Sequence, residues 1–184
     1  MYTFFLTFED DLRSSENVQY SYRALANAPE LDIVRPRWMH ITVQGVGFVD
    51  EVEPLAIEKL TGVIRQKLCS VGPLCMTLGP AVVAQEGVVL LTSHTVEMQR
   101  LQAILRDGIA EVLSEKESGF GAPLEPHVTL AYSHGVGSTE GVKSSLRGSE
   151  ELFHQVTFNS IRLVILGRDD QTYTWTTAAK IPLE

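Results

Sequence analysis

The chain has 184 residues, 44% of them apolar and 21% charged, with a formal net charge of −8 at pH 7. That length fits one domain with a sizeable core, and the composition excludes a disordered or fibrous chain. The acidic balance argues against long nucleic acid as an obligate partner, because tracking phosphates needs a basic surface that releases counterions.

Residues 2–9 read as a strand, with Tyr2, Phe4, Leu6 and Phe8 on one side and Thr3, Phe5 and Thr7 on the other. This start has neither a basic n-region nor a small-residue cleavage site, so it is read as a strand and not as a signal peptide. Leu12, Val18, Tyr22 and Leu25 recur at helical spacing within 10–26. A connection containing Pro29 and Pro36 leads to a strand over 39–43, which ends at Gly45 and Gly47.

Leu55, Leu60, Val63, Ile64 and Leu68 predict an amphipathic helix over 54–68, with Pro54 in its first turn. After the break at Gly72-Pro73, residues 74–83 and 88–92 read as two strands joined by a turn at 85–87. Thr95 is placed to cap a helix over 96–114 whose inner face carries Met98, Leu101, Leu105, Ile109 and Val112. A loop at 119–123 precedes a strand over 127–132, and a Gly/Ser-rich stretch, 133–138, precedes a short helix over 139–146. A long strand over 156–166, a turn at 168–171 and a last strand over 172–178 complete the order.

Helices mixed with hairpin-linked strands favour an α+β fold with antiparallel sheets. No linker or low-complexity segment divides the chain, so residues 1–184 are expected to be one domain. No run approaches the roughly 18 apolar residues of a membrane helix, so no membrane partner is expected. Cys69 and Cys75 make no disulfide framework and read as reduced, partly buried thiols of a cytoplasmic protein.

Two short segments carry the chemistry: His40-Ile41-Thr42-Val43 and His127-Val128-Thr129-Leu130. In a strand, residues i and i+2 share a face, so each segment presents an imidazole beside a hydroxyl while Ile41 or Val128 points into a core. Two imidazoles can hold one proton acceptor and one donor near neutral pH. Two hydroxyls supply uncharged donors for phosphate oxygens. One such segment alone is more often structural; two with apolar flanks arise by chance in roughly a few chains per thousand. Each motif strand follows a helix and a Pro-bearing loop and precedes a glycine-containing segment. The echo suggests two similar lobes whose motif strands face each other across a groove.

The doubled, hydrophobic-flanked His-x-Thr resembles the signature of the two-histidine (2H) phosphoesterase superfamily, which includes LigT-like 2′-5′ RNA ligases and 2′,3′-cyclic nucleotide phosphodiesterases. The resemblance implies a bilobal α+β fold, two antiparallel sheets with flanking helices around a central cleft, and no metal or other cofactor. It implies His40 and His127 as catalytic residues and Thr42 and Thr129 as phosphate-binding hydroxyls. Many LigT-like members have an arginine shortly after the second motif. Here Ala131-Tyr132-Ser133-His134 follows, which leaves Arg37 or His134 as candidate sources of positive charge.

Phe5, Trp38 and Tyr132 are flat rings that could stack a base, with core packing as the competing use. His94 and His154 lack a threonine at i+2 and are expected at the surface or near strand ends. No metal-ligand spacing, nucleophile elbow or phosphate-cradling loop occurs. The leading expectation is a monomeric, metal-independent phosphodiesterase acting on a 2′,3′-cyclic phosphate, a 2′-5′-linked nucleotide or a short RNA end. The alternatives are a 2′-5′ RNA ligase or RNA-end processing enzyme of the same fold, and a non-catalytic nucleotide-binding module.

Overall fold

A computed structural model gives the architecture and describes residues 1–8, 12, 15–93, 95–113, 125–135, 139–169 and 172–184, without the side chains of 168, 169 and 172. The loop at 119–123, His94 and part of the turn at 168–171 lie outside the described residues.

The strands are β1 (Tyr2–Thr7), β2 (Leu31–Ile33), β3 (His40–Gly47), β4 (Leu74–Ala84), β5 (Gly87–Thr92), β6 (His127–Ser133), β7 (His154–Phe158), β8 (Ser160–Asp169) and β9 (Thr172–Pro182). The helices are α1 (Glu16–Leu25), α2 (Pro54–Leu68), α3 (Val96–Val112) and α4 (Thr139–Leu146). The fold is α+β, as expected, and every strand pairing is antiparallel.

The strands form one curled sheet in the order β7-β4-β5-β6-β3-β1-β8-β9, with β2 also paired to β6, so the two expected sheets are the halves β7-β4-β5-β6 and β3-β1-β8-β9 of a single one. The halves meet where β3 lies against β6, and the register there consists of one pair, Ile41 with Val128. The motif strands therefore lie side by side as neighbours in the sheet, joining its halves, rather than facing each other across a groove. Helices α1 and α4 pack on β4 of one half, and α2 and α3 pack on β9 and β3 of the other.

Alternation in β1 sets the two faces of its sheet. Tyr2, Phe4, Leu6 and Phe8 join the core, whereas Thr3 and Phe5 line the cleft. Helix α3 starts where Thr95 Oγ1 accepts the Met98 N–H at 3.2 Å, and its buried face carries Met98, Leu101, Leu105 and Ile109. Burying each such side chain stabilises the fold by about 1.5–3 kcal/mol. In α2 the inward residues are Ile57, Leu60, Ile64 and Leu68; Leu55 is 75% exposed and lies off that stripe.

Three local expectations change. The apolar run over 156–166 is two strands, because the chain bends at Asn159. Strand β7 pairs with β4 in one half of the sheet and β8 with β1 in the other, so the chain crosses between the halves at this bend. An Asn in a continuous period-two pattern is a weak turn signal, which hid the break. The three-residue β2 is too short to carry a period and is held by pairing with β6. Cys69 and Cys75 are free but exposed, not partly buried.

Candidate active site

The pairing of Ile41 with Val128 decides the geometry. Both are 0% exposed, which puts their side chains on the core face. Continuing the antiparallel register one residue each way sets His40 abreast of Thr129 and His127 abreast of Thr42. Directly opposed residues on one sheet face have Cβ atoms roughly 4.5–5.5 Å apart. All four side chains line one cleft of about 530 Å³. Each imidazole thus has a threonine from the other motif as its cross-strand neighbour, an arrangement that neither segment makes alone.

The two imidazoles are tethered alike. His40 Nδ1 lies 2.9 Å from the Trp38 carbonyl oxygen, and His127 Nδ1 lies 3.0 Å from that of Glu125. A carbonyl can only accept, so Nδ1 carries the proton in both rings. Nε2 is then the nitrogen with a lone pair when the ring is neutral. Both tethers reach back two residues, a regularity present in the chain order but invisible without the local backbone shape. Pro126 stands between His127 and its tether, and Met39 between His40 and its own.

Their surroundings differ. The His40 ring stacks on Phe5 at 3.9 Å between centroids and 16° between planes. Trp175 meets it edge-on at 5.0 Å and 77°. Trp175 in turn packs against Trp38 at 4.9 Å and against Phe5 at 5.4 Å, closing an aromatic wall. Burial among these rings pulls the His40 pKa from its ordinary 6.5 down to about 4; the Trp38 carbonyl opposes this and the nearby His127 adds to it. His40 is therefore neutral across the physiological range, whereas His127 is exposed at the cleft.

The other expected site residues divide. Phe5 is 0% exposed and occupied by His40, so it shapes the imidazole rather than offering a free face for a base. Trp38 packs on Trp175 and lines a small cavity together with His40 and Thr129. Tyr132 lines the main cleft and lies 5.1 Å from the ring of Tyr173. Arg37 lies outside the cleft lining, its guanidinium 5.1 Å from the Trp38 ring. His134 also lies outside it, with Nδ1 3.1 Å from Asp32 Oδ2. Pairing of β2 with β6 supplies that partner, because Asp32 is in register with Tyr132.

Sequence reading missed Trp175 and Tyr173. Both stand on the last strand, in an alternating pattern that reads as ordinary strand composition. The described cleft lining includes the carboxylates of Glu86 and Glu125 but no arginine or lysine side chain. No group of three His, Cys, Asp or Glu side chains able to hold a metal occurs among the described residues. No helix among them is long and apolar enough to cross a membrane.

This geometry can be set beside known proteins. A family model described as the 2′-5′ RNA ligase superfamily matches residues 14–172. The structure of TT0787 from Thermus thermophilus superposes with a TM-score of 0.78 at 14% identity, covering 99% of this chain and 97% of that one. Apo LigT from E. coli gives 0.68 at 14% identity, covering 98% and 95% respectively. Kluyveromyces marxianus Usb1 with uridine monophosphate gives 0.55 at 12% identity, covering 99% and 98%. Among curated proteins, none matches the chain by sequence.

Proposed function

This chain belongs to the 2′-5′ RNA ligase superfamily of two-histidine phosphoesterases, and we propose that within it the protein is a metal-independent phosphodiesterase that opens a 2′,3′-cyclic phosphate or cleaves a 2′-5′-linked nucleotide or short RNA end. One observation carries the reading. Two imidazoles with identical Nδ1 tethers share one cleft, one of them kept neutral by burial and the other exposed.

The difference between the imidazoles supports a division of roles between them. His40, neutral with Nε2 unprotonated, takes a proton from water as the water oxygen attacks phosphorus. His127 carries a proton on Nε2 and gives it to the ribose oxygen as the P–O bond breaks. Each transfer of this kind contributes typically 10²–10⁴-fold. Thr42 and Thr129 donate hydrogen bonds to the non-bridging oxygens, where charge builds up in the transition state. The His127 imidazolium adds positive charge beside those oxygens, where the described lining carries no arginine or lysine side chain. LigT has been solved with 3′-AMP and Usb1 with uridine monophosphate, which supports a nucleotide-sized ligand for a cleft of this volume.

The test is hydrolysis of 2′,3′-cyclic AMP in excess EDTA by the wild type, His40→Ala and His127→Ala. Turnover by the wild type that falls at least 100-fold in each variant is expected. EDTA-sensitive turnover, or full activity in either variant, refutes the mechanism. Binding without turnover by the wild type indicates a nucleotide-binding module instead.

A further inference from the structure

We propose that Thr3 is a substrate-binding residue whose hydroxyl hydrogen-bonds the nucleoside attached to the reacting phosphate. The proposal rests on the phosphodiesterase reading above and adds a contact outside both motifs.

Thr3 lines the cleft from β1, yet it is 0% exposed. Its Oγ1 is buried and has no hydrogen-bond partner among the described residues. Valine has nearly the same shape and suits a strand equally well, so packing alone gives no reason for a hydroxyl. Native structures satisfy most of their buried polar groups, and a cleft-wall hydroxyl left unpaired is explained by a partner that arrives with a ligand.

Register locates that partner. Phe5, two residues along the same face, is paired with Thr42, whereas Thr3 is paired with Gly45, which adds no side chain. Successive residues on one strand face are about 7 Å apart. Thr3 therefore stands one row beyond the threonine assigned to the phosphate oxygens. That row is too far for those oxygens and within reach of the sugar or base joined to them. A hydroxyl both gives and accepts, which suits ribose hydroxyls and base-edge nitrogens. Leu166 lines the cleft too and offers an apolar contact for a base.

The experiment compares Thr3→Val and Thr3→Ser on 2′,3′-cyclic AMP and on bis(4-nitrophenyl) phosphate, a diester without a nucleoside. Thr3→Val is expected to lose about 3- to 10-fold in kcat/KM on the cyclic nucleotide, the range of one ordinary hydrogen bond. The loss should appear in KM and exceed the loss on the nitrophenyl diester by the same factor. Thr3→Ser should recover most of it, and the melting temperature of Thr3→Val should not fall. Equal losses on both substrates, or none on the nucleotide, overturn the proposal. If the wild type turns over neither substrate, the functional reading fails, and 3′-AMP affinity by calorimetry decides Thr3 separately. A 3- to 10-fold weaker Kd in Thr3→Val supports the contact, and an unchanged Kd overturns it.

Discussion

Ile41 and Val128, the middle residues of the two His-x-Thr motifs, are the registered pair that joins the two halves of the sheet, and both are fully buried. One contact thus ties the two halves together and places the four polar side chains around it. Ile41→Val should lower stability by about 0.5–1.5 kcal/mol and Ile41→Ala by about 2–5 kcal/mol, measured by denaturant unfolding. Since the cavity opens between the motif strands, Ile41→Ala should also lower kcat at temperatures where the protein stays folded. A variant equally destabilised in α2, such as Leu60→Ala, should spare kcat. Parallel losses in both would remove the link between joint and site.

The acid limb of activity should report His40. Its pKa of about 4 in the folded protein places the fall in kcat/KM near pH 4, well below the ordinary imidazole value of 6.5. The same shift links pH to stability. Between about pH 4 and 6.5 the unfolded chain holds a proton on this imidazole that the folded one lacks, so stability rises with pH through that window. The contribution is complete above 6.5 and is lost as the pH falls towards 4. His40→Gln should flatten that part of the melting-temperature profile.

Trp175→Ala should move that limb. The ring walls His40 from water, and burial is the largest cause of the lowered pKa. Opening the wall should raise the pKa towards 6.5 and shift the acid limb upward with it. An NMR titration of His40 reads the change without turnover. An unmoved or lower pKa would show that Phe5 and the remaining core suffice for the desolvation.

Gly87, where β5 begins at the cleft wall, has φ of +149°, and a Cβ there would meet the Ala131 carbonyl oxygen at 2.0 Å. The carbonyl belongs to the backbone of β6, so it cannot swing aside. Gly87→Ala should cost more than about 1 kcal/mol, seen as a lower melting temperature. Gly62→Ala, in α2 with nothing within 4 Å of the added Cβ, should hold or raise it.

Much of this was legible in the chain. The alternation of β1, the inner face of α3, the bounds of α2 and the two His-x-Thr strands follow from periods of 2 and 3.6 in side-chain direction. Asn159 was not legible, because a bend inside an apolar alternating run leaves no mark on its period. Nor was β2, which exists through its pairing with β6. The aromatic wall failed for a related reason: Trp175 lies far along the chain from His40, and no local pattern announces a contact closed by the curl of a sheet.

The sequence by itself determined which groups are available: two imidazoles and two hydroxyls on strand faces, each beside an inward apolar residue. Local periodicity is enough for that. The tertiary structure alone decided how they differ. Pairing Ile41 with Val128 gave each histidine a threonine from the other motif, and Phe5 and Trp175 withdrew one imidazole from water while its counterpart stayed exposed. Desolvation depends on what surrounds a group in space, and residues from β1 and β9 reach His40 only through the fold.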